Sequence, residues 1–554
     1  MTTHTKKTKG SCGNKLLNSK LVAGREPSGF SAPDGLRRSA KTGTDCQAAP
    51  IESTSGVSAI GDQFALGLLI MLVINFGQRI VGIVRNIGFC HFLSDAELGQ
   101  WALANSFFML AAPLAVLGLP GSFGKFVEHF RHRLCLSTYL KRVALVCTVS
   151  ALVLSIVMLV ASDTFAWLVY GSTASIEIIA FTAIALLAQI GYNFVYDIAL
   201  SLRQVRVLSW MQFANGMSFA IVGVACISVS NQWSVLLPCY AVSCLVGGIV
   251  GGWCVWRNCH QEFSSSEPLA HQEMWRRILP FAVLLWISNL LAGSFELSDR
   301  YMLLHFSPGG QSVGQSMVGQ YYCGRMIPNL LTSLALTLSG ILLPYLSADW
   351  EAKRFQDIQR RMGYVLTLFS LAFTAASVAA LLVSPLLFDL IFKGRYDDAE
   401  SILGLSLLQC IWASTTMIAG AYLLCAERAR LASINLAIGL AINIGLNIPM
   451  IHYYGLKGSV IATMIANVVV LLLTLYGMSR TGCKTDTRTW LFIFFPAVLL
   501  LGTNLAAASI AILVVLAGRT DWILDRQDRI DIDKLVLPLF QKARIPMQSL
   551  WPME

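Results

Sequence analysis

Polar residues interrupt the first long apolar segment of the chain, which runs from residue 64 to residue 90. They are Asn75, Gln78, Arg79, Arg85 and Asn86. At about 100° per residue of an α-helix, all five side chains fall within an arc of roughly 120°. An arginine at the centre of a bilayer costs about 2.5–3.5 kcal/mol, and such residues usually face a bundle interior or a water-filled cavity. A guanidinium group can bind an anion through two parallel hydrogen bonds, so the pattern predicts an internal, anion-binding cavity.

Two further arginines lie in later apolar segments, Arg300 in residues 278–304 and Arg325 in residues 319–346. In the first of these segments, four residues share one helical face: Asn289, Gly293, Glu296 and Arg300. Asp299 lies one turn beyond Glu296. Glu296 or Asp299 could therefore exchange an ion pair with an arginine, or take up a coupling H⁺ or Na⁺.

The same charged residues allow structural interpretations. Arg85, Arg300 and Arg325 are close enough to an expected membrane surface to extend towards lipid headgroups. Asp299 and Arg300 could form a structural ion pair, and Arg79 could be held in a buried structural pairing. The residues alone leave these alternatives open.

The composition is that of a membrane protein. Of the 554 residues, 55% are hydrophobic and only 13% are charged, which is far more apolar than a soluble protein of this length. The net charge of +10 does not indicate a nucleic-acid partner, because the basic residues are scattered between apolar segments. The 14 cysteines include no Cys-x-x-Cys pair and are expected to be buried hydrophobic residues rather than metal ligands.

About thirteen apolar segments are long enough to span a membrane. Apart from nine in the first 61 residues, nineteen Lys or Arg lie in loops on one side and three on the other, so the positive-inside rule predicts a cytoplasmic N-terminus. We expect an all-α polytopic protein with these parts: a basic, disordered cytoplasmic tail (1–61), helices 1–6 (62–256), a cytoplasmic loop (257–277), helices 7–12 (278–479), an extra transmembrane helix (489–517) and a C-terminal tail (518–554).

A weak internal repeat connects the two groups of six helices. Leu98-Gly-Gln-Trp101 is echoed by Val318-Gly-Gln-Tyr321, 220 residues later and on the same predicted side of the membrane. Such a repeat would be parallel, with its two halves related by an axis along the membrane normal. It would set the arginines of helix 1 opposite those of helices 7 and 8 across a central cleft.

Four stretches, in order and each between or at the ends of helices, carry a family resemblance: Leu297-Ser-Asp-Arg-Tyr-Met-Leu303, Gly319-Gln-Tyr-Tyr322, Phe392-Lys-Gly-Arg-Tyr-Asp-Asp-Ala399 and Tyr454-Gly-Leu-Lys-Gly458. Over roughly residues 62–480 the chain resembles the polysaccharide-transporter branch of the superfamily that also holds the MATE multidrug exporters, the Wzx O-antigen flippases and the MurJ lipid II flippases. The resemblance implies two six-helix lobes forming a V that opens alternately to either side of the membrane.

The resemblance also implies a function. Family members carry undecaprenyl-diphosphate-linked sugars across the bacterial cytoplasmic (inner) membrane for cell-surface polysaccharides such as O-antigen and lipopolysaccharide. The expected partners are then the lipid-linked oligosaccharide and membrane lipids, with a polysaccharide polymerase and glycosyltransferases as further candidates. No cofactor is expected beyond a coupling H⁺ or Na⁺.

For such a substrate the arginines would bind the pyrophosphate, which cannot cross hydrocarbon without compensation. Arg79 is the first candidate, followed by Arg85, Arg300 and Arg325. Four amide side chains could hydrogen-bond sugar hydroxyls: Asn75, Gln78, Asn86 and Asn289.

Three other functions are alternatives for a polytopic membrane protein of this composition. A MATE-type exporter of organic cations would not need four arginines, which outnumber Glu296 and Asp299. A membrane glycan polymerase or transferase usually needs a sizeable extramembrane loop, whereas the loops on the outer side are all below about 20 residues. A structural member of the family that has lost transport is the third alternative. We expect a flippase and no enzymatic activity.

Overall fold

Long apolar segments fold into helices in a membrane because only intrachain hydrogen bonds can satisfy their backbone groups there. A computed structural model describes residues 77–264 and 270–519, which all fall within one compact unit, Phe64–Glu554. This described part contains sixteen α-helices and no β-strand. Asn75, the predicted tail 1–61 and the chain beyond Arg519 lie outside the described residues.

The N-lobe is built from six long helices and two short ones. These are α1 (residues 77–92 of it described), α2 (Asp95–Ala115), α3 (Phe123–His132), α4 (Leu136–Val160), α5 (Ser162–Tyr170), α6 (Ile176–Ser201), α7 (Val205–Ser230) and α8 (Leu236–Ser264). A capping box fixes the start of α2, where Ser94 and Glu97 each bond the other's backbone N–H. After α2 the chain passes through Gly118, with φ +67°, and bends by 67° into α3.

The C-lobe contains α9 (His271–Phe306), α10 (Gln311–Gly324), α11 (Met326–Glu351), α12 (Phe355–Pro385), α13 (Asp397–Cys425) and α14 (Ala429–Arg480). With 52 residues, α14 would be about 78 Å long if straight, more than twice the thickness of a hydrocarbon core. It is instead broken at Gly455, where φ is +55° and ψ is −130°. A Cβ atom on Gly458 would overlap the Met450 carbonyl, so glycine is required where the two halves meet.

The number of spans agrees with two lobes of six helices. Nine of the described helices are long and apolar enough to cross a membrane, and the bent pair α2–α3 makes a tenth. Dividing α14 at Gly455 and including α1 gives twelve. The expected all-α polytopic fold is confirmed.

Several predicted boundaries differ from the structure. The helix expected over 319–346 is two helices joined at Arg325, because Pro328 cannot donate a backbone hydrogen bond to Gly324. The expected loop 257–277 is much shorter, since α8 runs to Ser264 and α9 begins at His271.

The segment 489–517, expected as one transmembrane helix, is also divided. It consists of α15 (Thr487–Phe494), a 3₁₀ segment (Phe495–Leu501) and α16 (Thr503–Arg519). Pro496 opens the 3₁₀ segment, and Gly502 at φ +97° ends it, so the helical hydrogen bonds do not run through.

The two lobes meet along α2 and α10, at the end of the bundle that holds Ser94. We call this the Ser94 end. A Cβ on Gly99 would overlap the carbonyl of Gln315, and one on Gly319 would overlap the carbonyl of Asp95. Gln320 donates to Asp95, and Gln100 donates to Gln315. Gly99 and Gln100 of α2 contact Gln315 of α10, and Gly319 and Gln320, which lie 220 residues later, contact Asp95 of α2 in the same way. Two copies of one motif related by a two-fold axis would produce this pattern.

The Ser94 end is held by a second set of bonds from the C-lobe. Arg395, in the loop before α13, donates from its guanidinium to the backbone carbonyls of His91 and Leu93, at 3.3 and 2.8 Å. The hydroxyl of Tyr396 donates to the carbonyl of Cys90 at 3.2 Å. The lobes are therefore closed against each other at this end.

Candidate functional site

A cavity of about 390 Å³ lies between α1 and α7 of the N-lobe and α11 of the C-lobe. Four residues predicted from the polar face of the first helix line it together: Gln78, Arg79, Arg85 and Asn86. Gln212 of α7 and Asn329 of α11 add amide groups to the wall. A cavity with two arginines and amide side chains offers hydrogen-bond donors from three sides.

Arg85 is held in place by its neighbours. Its Nε and Nη2 atoms donate to Asn86 Oδ1 at 3.2 and 3.0 Å, and its guanidinium carbon lies 4.8 Å from the centre of the Phe219 ring. The Tyr322 hydroxyl of α10 donates to the same Asn86 oxygen at 3.1 Å. The cavity wall on α1 is thus connected to the C-lobe through Asn86.

Arg79 differs from Arg85 because no described residue forms a hydrogen bond with its side chain or stacks on it. It is half-buried in the cavity wall, and its side chain forms no hydrogen bond or ion pair with residues 77–264 or 270–519. Gln78 beside it donates to the backbone carbonyl of Ser209 on α7 at 3.2 Å, which ties this turn of α1 to the N-lobe. Arg79 therefore presents to the cavity a positive charge that no described residue compensates.

The other two predicted arginines lie outside this cavity. Arg300 is buried between the lobes and donates to Ser106 Oγ of α2, while its Nε atom has no partner in the described part of the chain. Arg325 lies at the α10–α11 junction, 5.6 Å from the Tyr321 ring centre. Its buried Nη1 is without a hydrogen bond to a described residue.

Asp299 is the centre of a buried polar cluster in the C-lobe, which we call the Asp299 cluster. Its carboxylate accepts hydrogen bonds from the Tyr321 hydroxyl at 2.8 Å, from Asn443 and Asn447 at 3.1 Å each, and from the Thr463 hydroxyl. Asn447 Oδ1 and the Ser459 hydroxyl are also buried here and have no partner among the described residues. Asp299 does not form the ion pair with Arg300 that the sequence allowed.

Glu296 and Asn289 line neither the arginine-lined cavity nor the Asp299 cluster. Glu296 is exposed on α9 and does not pair with Arg300, whose guanidinium turns to Ser106. Asn289 lines a different pocket, beside Asp197 of α6. The structure thus brings together the described polar residues of α1 but distributes those of α9 over four environments.

Several functional candidates were not predicted. Gln212, Asn329 and Tyr322 lie at the cavity, and Asn443 and Asn447 lie in the Asp299 cluster. Asn443 and Asn447 occur four residues apart within a predicted apolar segment, so they share a helical face. That spacing was a usable signal, because polar residues inside membrane helices usually face the bundle interior.

Comparison with known proteins identifies the family. A sequence model described as "Polysaccharide biosynthesis protein" matches residues 64–350, more than half of the chain. The chain belongs to this family. Among curated proteins, the "Uncharacterized membrane protein YabM" of Bacillus subtilis (strain 168) is 23% identical to this chain over 254 residues. That match covers 45% of this chain and 47% of YabM, so the chain matches about half the length of this curated relative.

Solved structures share the fold. The lipid II flippase MurJ in an inward closed conformation superimposes with a TM-score of 0.62 at 13% identity, covering 85% of this chain and all of MurJ. An inward-facing multidrug resistance MATE transporter of the MOP superfamily gives 0.61 at 13% identity, covering 73% and 94%. The expected resemblance is confirmed for the family and for the fold, and this member of the polysaccharide biosynthesis family is a multi-pass membrane protein.

Proposed function

We propose that this protein is a flippase that moves a lipid-linked oligosaccharide of the undecaprenyl-diphosphate type across the bacterial cytoplasmic membrane by alternating access. Its product would serve cell-surface polysaccharide biosynthesis, with O-antigen or lipopolysaccharide as the expected class and the N-terminus in the cytoplasm. The observation that carries the proposal is the cavity between α1, α7 and α11, where Arg79 has no hydrogen-bond or ion-pair partner among residues 77–264 and 270–519.

The cavity chemistry fits a diphosphate. Phosphate oxygens accept hydrogen bonds, and Arg79, Arg85 and the neighbouring amides supply donors. A bound diphosphate would compensate the charge of Arg79, which is costly to leave unpaired at membrane depth. The polyprenyl chain is apolar and would stay in the lipid, so only the headgroup has to enter the cavity.

Alternating access requires that the ligand contact elements that separate. The cavity has walls from both lobes, and the Arg85–Asn86–Tyr322 contacts connect α1 to α10. A diphosphate that bound Arg85 would compete for the hydrogen bonds that now hold this connection. Ligand binding would thereby change the relative stability of the conformations in which the lobes are joined or apart.

The Asp299 cluster is the candidate site of ion coupling. A buried carboxylate oxygen, the Asn447 Oδ1 atom and the Ser459 hydroxyl form an oxygen-rich group on three helical segments. Oxygen atoms are the ligands that hard cations such as Na⁺ prefer, and protonation of Asp299 would be the alternative way to neutralise the site. Either event would alter the contacts between α9 and α14, so we propose that one of them drives the conformational cycle.

A MATE-type exporter of small organic cations is the alternative function, because the same fold occurs in those transporters. Arg79 argues against it, because no described residue pairs with this arginine and a cationic cargo would meet a charge of the same sign. A scaffolding role or a glycan polymerase has no feature of the described residues in its favour.

The test is transport by the purified full-length protein in proteoliposomes. A fluorescent undecaprenyl-diphosphate oligosaccharide should move between leaflets faster than in protein-free liposomes. The same vesicles should not accumulate a fluorescent organic cation under an imposed Na⁺ or H⁺ gradient. Cation transport without lipid movement would replace the proposal by the exporter alternative.

A further inference from the structure

A second polar pocket, of about 330 Å³, lies where the end of α2 meets α6 and α9. Its backbone wall is the bend between α2 and α3, at Gly118–Gly121. Four polar side chains enter it: Asn193, Tyr196 and Asp197 from α6, and Asn289 from α9. We call it the Asp197 pocket.

Asp197 is a half-buried carboxylate that lacks compensation. Within the described residues it forms no ion pair and accepts no hydrogen bond. A carboxylate so placed in a membrane helix carries a high desolvation cost, and its oxygens can only accept hydrogen bonds while it is ionised. The feature therefore points to a ligand that supplies donors.

The neighbouring groups have bonding capacity left as well. Asn193 uses its oxygen to accept from Gln189 at 3.0 Å, which leaves its NH₂ group as a donor. The Tyr196 hydroxyl accepts from Gln212 at 3.3 Å and can still donate. The Phe194 and Tyr196 rings add flat apolar surface beside these groups. Donors, acceptors and a flat apolar face together match a sugar ring, which offers hydroxyls at its edge and C–H groups on its faces.

The Asp197 pocket adjoins the arginine-lined cavity. Gln212 lines the cavity and Tyr196 lines the pocket, and the hydrogen bond between them forms the boundary. The two compartments differ in charge, since one contains Arg79 and Arg85 and the other contains Asp197. A headgroup with an anionic end and a hydroxyl-rich end would be oriented by this difference.

We propose that the Asp197 pocket is the subsite for the glycan, in which Asp197 accepts hydrogen bonds from sugar hydroxyls while the diphosphate occupies the arginine-lined cavity. This inference rests on the proposed flippase function. The carboxylate repels the diphosphate and attracts hydroxyl donors, so the pair of compartments selects a glycosylated lipid over the bare diphosphate carrier. It also assigns Asn289 to the glycan, apart from the residues of α1.

The test compares two lipids with full-length protein in nanodiscs. One is the lipid-linked oligosaccharide extracted from the cells in which the protein occurs, and the other is undecaprenyl diphosphate without the glycan. Wild type should bind the first more tightly. Asp197→Asn should weaken that binding about 10- to 100-fold, the range for a lost hydrogen bond to a charged group, and leave undecaprenyl diphosphate unaffected.

Two variants control the result. Asp163→Asn removes a carboxylate from the start of α5, outside the residues that line the pocket, and should bind both lipids as wild type does. Asn193→Ala keeps the carboxylate and should weaken oligosaccharide binding less than Asp197→Asn, which preserves the test if Asp197→Asn fails to fold.

The outcomes separate the two proposals. Wild type that binds neither lipid would refute the flippase function itself. Wild type that binds both lipids equally, or an Asp197→Asn variant that weakens both equally or neither, would refute only the glycan subsite. A variant with unchanged oligosaccharide binding but transport that no longer depends on pH would assign Asp197 to proton coupling instead, and would also refute the subsite.

Discussion

The arginine-lined cavity and the Asp299 cluster differ in how the charge of a side chain inside the helix bundle is compensated. Both place charged side chains inside a bundle of apolar helices. Asp299 accepts four hydrogen bonds from its own protein, from α10 and from both halves of α14. Arg79 forms no hydrogen bond or ion pair with a described residue and faces a cavity of about 390 Å³.

The difference separates a charge that the fold itself compensates from one that is left for a ligand. A buried charge with a full set of partners rigidifies its surroundings, and removing it leaves those partners unsatisfied. A charge that lines a cavity without partners adds no such stability and is retained for binding. Substitution of Asp299 should therefore lower the stability of the protein, and substitution of Arg79 should lower transport.

The largest effect is expected from Asp299→Ala. The variant would leave the buried Tyr321 hydroxyl without its acceptor and remove one of two hydrogen bonds from each of the Asn443 and Asn447 amides, at a cost of about 1–3 kcal/mol for each donor left unsatisfied. The Thr463 hydroxyl would still donate to the Ser459 carbonyl. We expect a much lower thermal-unfolding midpoint in detergent and no transport. Asp299→Asn keeps the shape and should lose less stability. A stable Asp299→Ala protein would break the distinction between the two regions.

Gly99→Val should have the next largest effect. A side chain at Gly99 overlaps the Gln315 carbonyl, so α2 and α10 could no longer meet and the Ser94 end could not close. Transport should fall at least about 10-fold because alternating access needs this closure, while the separate lobes stay folded. Gly404→Ala is the control, since a Cβ there meets nothing within 4 Å. Full transport by Gly99→Val would mean that closure at α2–α10 is not part of the cycle.

A smaller effect is expected from Arg85→Lys. Lysine keeps the charge but cannot form the paired hydrogen bonds to Asn86 or stack its planar group on Phe219. Lipid affinity should fall about 10-fold, with little change in the unfolding midpoint. Affinity equal to wild type would show that Arg85 acts only as a point charge.

The smallest effect is expected from Glu296→Gln. Glu296 is exposed and has no hydrogen bond to a described residue, so the exchange should change transport less than about two-fold and leave its Na⁺ and pH dependence unaltered. Rates measured over a range of pH and Na⁺ concentrations provide the check. A lost ion dependence would move the coupling site from Asp299 to Glu296.

Much of the fold could be predicted from the sequence because hydrocarbon imposes simple rules. Segment length, apolar composition and the glycine-containing repeat identified the spans and the two lobes. The breaks were harder. Pro328 divides α10 from α11 inside a stretch whose length and mean hydropathy are those of one membrane helix. Gly455 and Gly458 break α14 inside another long apolar stretch. These features depend on local backbone geometry, which hydropathy averages out.

The site could be predicted only in part. The face of α1 was visible because all its polar residues lie on one helix with one periodicity. The helical face of Arg300 could be predicted from residue spacing, but its partner could not, and the structure shows that this partner is Ser106 of α2. The residues around Asp299 come from helices that are distant in sequence. The spacing of residues within one helix does not predict contacts between such helices.

The most direct test of the central claim is lipid transport by Arg79→Ala in proteoliposomes, with the fluorescent undecaprenyl-diphosphate oligosaccharide and at matched protein content. Ile80→Ala on the exposed face of α1 serves as the control, and Arg79→Lys tests the charge alone. We predict that Arg79→Ala loses transport at least about 10-fold with an unchanged unfolding midpoint, that Arg79→Lys retains part of it, and that Ile80→Ala equals wild type. Transport by Arg79→Ala at the wild-type rate would contradict the account, because the uncompensated charge would then have no ligand to bind.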